Sequence, residues 1–160
     1  MKKSSVISVG LDVHKETIAA CWLRDDSQVE ETRELANEPK GIAKLFRLLK
    51  SQGEVRACYE AGVCGFEVRR QLESLGVSCD VIAPSLIPVR AGDRVKTDRR
   101  DARKLARLFR AGELTAIQVP TKDEEALLEE HNGTHRTNSV LRDKLMDLID
   151  LDSKDARGSD

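Results

Sequence analysis

Aromatic residues are scarce: Phe, Trp and Tyr make up 3% of the 160 residues. Any core must therefore be built from Val, Ile, Leu and Ala, and the chain is long enough for one domain with a real interior. There is no apolar run long enough to cross a bilayer and no secretory leader. These absences set aside a membrane partner and leave a cytoplasmic location as the expectation. The four cysteines, Cys21, Cys58, Cys64 and Cys79, form no C-x-x-C pair. Three of them (Cys21, Cys58 and Cys79) sit in apolar strand-like runs and read as small buried hydrophobes in a reducing compartment. An excess of one charge is also missing, since the formal net charge is -1.

What is present is charge, 34% of residues, unevenly placed. Residues 121–160 hold 6 Lys and Arg against 11 Asp and Glu, leaving the first 120 residues net positive. The segment from Arg90 to Arg110 alone has 9 basic and 3 acidic residues. Such a stripe is an electrostatic footprint for polyanions, and a merely solvated helix face looks the same.

Along the chain, Val6 to Val13 reads as a largely buried strand ending in Asp12, and Thr17 to Leu23 as a second strand after a short turn. Val29 to Leu35 alternates and reads as a third strand near an edge. The period then changes. Ile42, Leu45, Phe46 and Leu49 are spaced for a helix, with Pro39 near its start and Gly53 past its end. Val55 to Glu60 is a strand that again ends in an acid. A helix follows with Val68, Leu72 and Leu75, closed by Gly76, and then a strand from Val77 to Ile82. The order β-β-β-α-β-α-β-α reads as a mixed α/β five-stranded sheet with helices on its faces. Strands one, four and five are expected to run parallel through helical crossovers. Ligands of such sheets sit beyond the carboxyl ends of the strands, where Asp12 and Glu60 fall.

The last helix of the sheet domain, to about Ala111, is the most informative stretch. At about 3.6 residues per turn, Asp98, Asp101, Leu105 and Leu108 share one face, while Arg99, Arg100, Arg103, Lys104 and Arg107 share the other. Acids on an inward stripe need a partner. The plain reading makes Asp98 an N-cap with Asp101 in the first turn, Asp12 a turn cap and Glu60 an arginine partner. The functional reading gathers Asp12, Glu60, Asp98 and Asp101 as hard oxygen ligands for Mg²⁺ or Mn²⁺. Four carboxylates suit the two-ion arrangement of phosphodiester chemistry. The basic face, with Arg90, Arg94 and Lys96 just ahead of it, would then lie along a nucleic-acid backbone.

Gly10-Leu11-Asp12-Val13-His14-Lys15, Tyr59-Glu60-Ala61-Gly62 and Lys96-Thr97-Asp98-Arg99-Arg100-Asp101-Ala102 resemble the amino-terminal domain of the insertion-sequence one-ten family of transposases. These are also called Asp-Glu-Asp-Asp transposases and are related to the Piv DNA invertase. The likeness runs in order from about Val6 to Pro120. It implies a RuvC-like, ribonuclease-H-type fold and DNA transposition as the activity. By the same likeness the four acids, Asp12, Glu60, Asp98 and Asp101, are catalytic metal ligands. DNA, a structured RNA bridging donor and target, and other copies of the chain are the implied partners. Family members continue through a long helical connector into a second domain with a nucleophilic serine. Here the connector is interrupted from His131, and Ser85 and Ser139 lie in no matching motif. The expectation is a four-acid domain over 1–120 followed by a truncated connector and tail over 121–160, inactive in transposition alone.

His14 reads as a solvated turn residue, with a phosphate or metal contact as the alternative, and Lys15 reads similarly. Trp22 reads as core. A non-catalytic nucleic-acid-binding remnant is the second functional reading. An actin-like ATP binder is the third, opposed by Val13-His14-Lys15 standing where that fold has Gly and Thr or Ser.

Overall fold

The computed structural model describes residues 4–62, 64–88 and 98–130, with the side chains of 98–100 and 128–130 excluded. Arg90, Arg94 and Lys96 lie outside the described residues. So do residues 131–160, the greater part of the expected connector and tail. Two compact units are present, Met1–Ala116 and Ile117–Asp160.

The first unit is a five-stranded sheet of β1 (Val6–Val13), β2 (Thr17–Arg24), β3 (Glu30–Ala36), β4 (Glu54–Glu60) and β5 (Ser78–Ile82), in the order β3-β2-β1-β4-β5. The β1–β2 and β2–β3 pairs are antiparallel, whereas β4 pairs parallel to both β1 and β5. This is the mixed, ribonuclease-H-type sheet that the resemblance implied. Each parallel step is made by a helix, α1 (Pro39–Lys50) and then α2 (Glu67–Ser74). Pro39 sits in the first turn of α1, where a missing N–H costs nothing. At the far end of α2, Gly76 takes a φ of 74° that favours glycine. The third strand begins at Glu30 rather than Val29, which is 68% exposed, and it is an edge as expected.

The side chains of β1 alternate in kind. Ile7, Val9 and Leu11 project to one face, where α1 buries Ile42, Leu45, Phe46 and Leu49. The other face of β1 presents Val6, Ser8, Gly10 and Asp12, with no bulky side chain at its centre. A third helix, α3 (Asp98–Arg110), lies on that small-residue face. Ala102 and Ala106 pack against Ala19, Cys21 and Leu23, while Leu105 and Phe109 pack against Cys58 and Ile82. The inward face of α3 is thus wider than the Asp98–Asp101–Leu105–Leu108 line and is centred on its two alanines. Trp22 is core, at 4% exposed.

Gly10 shows how close α3 comes. A Cβ there would lie 2.4 Å from the Ala106 nitrogen and 2.5 Å from the Ala102 oxygen. Arg56 fastens the other end of the helix. It stacks on the Phe109 ring, 4.8 Å from its centroid, and donates to Ser8 Oγ at 3.2 Å and to the Phe109 carbonyl at 3.5 Å. A 3₁₀ turn at Pro84–Leu86 was not expected from the sequence.

In the second unit the described residues form one helix, α4 (Lys122–Glu130). Its start is a capping box: Thr121 Oγ1 accepts from the Glu124 N–H at 3.3 Å, and Glu124 Oε2 accepts from the Thr121 N–H at 2.8 Å. The first-turn acids Asp123, Glu124 and Glu125 suit the positive end of the helix dipole.

Candidate functional site

The direction of α3 brings the acids to one edge. Phe109 sits at the level of Arg56, and Leu105 beside Cys58, whose Sγ lies 3.9 Å from the Leu105 carbonyl. Ala106 and Ala102 lie over Gly10. Helix numbers therefore fall as strand numbers rise, and the first turn of α3 lies towards the carboxyl ends of β1 and β4. From Ala106 back to Asp101 is roughly 7.5 Å of helix, and from Gly10 on to Asp12 is roughly 6.6 Å of strand. Gly10 is in register with Cys58 on β4, so Asp12 and Glu60, two residues further along each strand, share both a face and a level. Asp12, Glu60 and the backbone of Asp98 and Asp101 therefore converge on one sheet edge.

The side chains are held differently. Asp12 is largely buried, at 17% exposed, and its Oδ2 accepts from His14 Nε2 at 2.9 Å. The histidine keeps the exposed place in the turn that was expected, with one ring nitrogen tied to Asp12. Its backbone is pinned by N–H donation to the Thr17 carbonyl at 2.9 Å, and its own carbonyl accepts from Asn37 Nδ2 at 2.8 Å. Glu60 is exposed and Asp101 half-buried. Their oxygens, with those of Asp98, are the hard donors that Mg²⁺ or Mn²⁺ prefers. Among the described residues no three His, Cys, Asp or Glu side chains are grouped closely enough to hold an ion. The Asp98 side chain is not among them. Burial pushes the thiol pKa of Cys21 up to about 11 and that of Cys79 up to about 12, and it raises Cys58 as well.

On the basic face, Arg99 and Arg100 lie on the first turn of α3, and Lys104 is half-buried. Arg107 donates to Glu30 through Nε and, at 3.0 Å, through Nη2, while Arg103 Nε lies 3.7 Å from the same carboxylate. The Arg107 hydrogen bond holds the Glu30 carboxyl below the usual carboxylate range. Glu30 had no place in the sequence reading. It lies 77 residues from Arg107, and no local pattern links the two.

Residues 9–140 match the family described as transposase, that of the Asp-Glu-Asp-Asp, IS110-type enzymes. A Sinorhizobium fredii protein, y4qE, whose name describes a transposase, is 47% identical over 122 residues, 74% of this chain and 31% of its own length. The transposase for insertion sequence element IS1533 of Leptospira borgpetersenii is 40% identical over 124 residues, 76% of this chain and 36% of its own length. The chain thus spans about a third of the length of these curated relatives. Two solved structures show weaker likeness. The catalytic core domain of BIV integrase has a TM-score of 0.34 at 16% identity, covering 81% of this chain and 97% of that one. The large terminase nuclease from thermophilic phage G20c, with bound zinc, has 0.41 at 18%, covering 82% and 72%. Matched through most of its length, the chain belongs to the IS110-type family of Asp-Glu-Asp-Asp transposases.

Proposed function

We propose that residues 1–120 are the catalytic domain of an insertion-sequence transposase and that the acidic edge is where it acts on DNA phosphodiesters. One observation carries this reading: two strand ends and a helix start deliver acids to a single edge within the family-matched region. Asp12, Glu60, Asp98 and Asp101 would hold Mg²⁺ or Mn²⁺. Such ions supply activation of an attacking oxygen and stabilisation of the leaving one. The protein's own part is orientation. His14 fixes the Asp12 carboxylate, and Gly10 lets α3 come down far enough to level Asp101 with it. The positive end of the α3 dipole favours an anion there. Arg90, Arg94, Lys96, Arg99, Arg100, Arg103, Lys104 and Arg107 would contact backbone phosphates, which position nucleic acid without reading its sequence. Residues 121–160 would begin a helical connector. A structured RNA, further copies of the chain and a cytoplasmic setting complete the proposal. Among the described residues no helix is long and apolar enough to cross a membrane.

Mn²⁺ titration of the purified chain tests the centre. The ion is expected to bind and to raise the melting temperature, because it binds the native state selectively. Asp12→Asn should remove most of that binding while leaving the fold intact. Unchanged Mn²⁺ affinity in Asp12→Asn would refute the four-acid assignment.

A further inference from the structure

We propose that Arg103 and Arg107 form a seat for a backbone phosphate of nucleic acid, which the Glu30 carboxylate occupies in the unbound chain. The inference rests on the reading that α3 faces nucleic acid, and it adds a residue that restrains that binding.

The geometry is that of an anion already in place. Arg107 takes the two oxygens of Glu30 with Nε and Nη2, a side-on fork that fits a phosphate as well as a carboxylate. Arg103 approaches the same carboxylate from one helical turn away. The arginines are open, at 60% and 46% exposed, whereas Glu30 is only 19% exposed. The acid also stands on the more firmly held backbone. It opens β3 in register with Leu23, directly after the β2–β3 turn. Arg110 clamps that turn by donating to the carbonyls of Ser27 at 2.9 Å and Arg24 at 3.3 Å and to Gln28 Oε1 at 3.2 Å. Arg110 is therefore spent on the turn and not part of the seat.

The two arginines have long, flexible stems and can swing outward to a phosphate. Glu30, on a shorter stem and less exposed, reaches less far. Each phosphate contact thus costs an ion pair and leaves a carboxylate beside the bound anion. Glu30 acts as a brake on sequence-independent binding along a helix otherwise rich in positive charge.

Fluorescence anisotropy with duplex DNA and duplex RNA of one sequence, at salt from about 50 to 200 mM, tests this. The two arms identify which nucleic acid uses the seat. Glu30→Gln is expected to bind about fivefold tighter, the size of one exposed ion pair. Arg103→Ala with Arg107→Ala should weaken binding and reduce the salt slope by about one, for the one phosphate the seat holds. Adding Glu30→Gln to that double variant should give no gain. Glu30→Ala serves if the glutamine variant melts early. The seat is overturned if wild type binds and neither Glu30 variant binds tighter, or if the gain survives in the double-alanine background. Failure of every variant to bind either duplex would overturn the nucleic-acid reading itself, and the seat with it.

Discussion

Replacing Gly10 with alanine is the sharpest test of how α3 positions the acidic edge. The new Cβ would fall 2.4 Å from the Ala106 nitrogen and 2.5 Å from the Ala102 oxygen, both backbone atoms of α3. Ordinary contact needs about 3.5 Å, so the helix must retreat by about 1 Å. Two effects compete. Alanine in a strand gains about 0.5–1 kcal/mol over glycine, while overpacking against fixed neighbours costs about 1–3 kcal/mol. Backbone meeting backbone has no rotamer to give way, which puts the cost at the upper end. The balance is about 2 kcal/mol of destabilisation, or a fall of about 8 °C in melting temperature for a unit of this size. The same retreat lifts Asp101 away from the level of Asp12, and a displacement of about 1 Å at a reacting centre can cost about a hundredfold in rate. Urea and thermal melts by circular dichroism, with Gly62→Ala as control, measure it. A Cβ at Gly62 meets nothing nearer than 4.0 Å, so that change should stay within about 0.5 kcal/mol. A Gly10→Ala chain as stable as wild type would refute the close docking of α3.

At pH 8 a thiol-specific reagent should titrate half-buried Cys64 quickly and reach Cys21, Cys58 and Cys79 only as the chain unfolds, since burial raises all three thiols. A fast phase that survives Cys64→Ser would contradict this. The depressed Glu30 carboxyl predicts an acid dependence. Its contribution to stability is complete above the ordinary carboxylate pKa of about 4.3 and is lost as pH falls through the lower folded value. Wild type and Glu30→Gln should therefore converge in stability on acidification, and a gap that widens in urea melts at falling pH would be the wrong sign. The Mn²⁺ response largely lost in Asp12→Asn and the tighter nucleic-acid binding of Glu30→Gln complete the set.

Much of the fold follows from neighbours in sequence. The α1 helix is marked by Pro39 at its start and by an apolar stripe that the structure buries whole, and α2 by Gly76 beyond its end. The two parallel strands ending in Asp12 and Glu60 were legible as apolar runs stopping at an acid. So was the edge position of β3, which has little but exposed polar residues. In these stretches each residue's conformation depends on those within a turn or a pleat of it.

Tertiary structure decided the rest. Read as a string, Val6–Val13 is one buried strand. Only the packed sheet shows that its Ser8–Gly10–Asp12 face is a slot for the α3 backbone. The basic stripe of α3 was plain in the sequence, but its division of labour was not. Arg110 holds a turn, and Arg103 and Arg107 share Glu30. The His14–Asp12 bond also depends on a turn pinned by Asn37 from the far end of β3. Local periodicity states which side chains share a face. Which surface that face meets, and so which charges are neutralised and which stay available, is set by the crossovers that bring distant segments together.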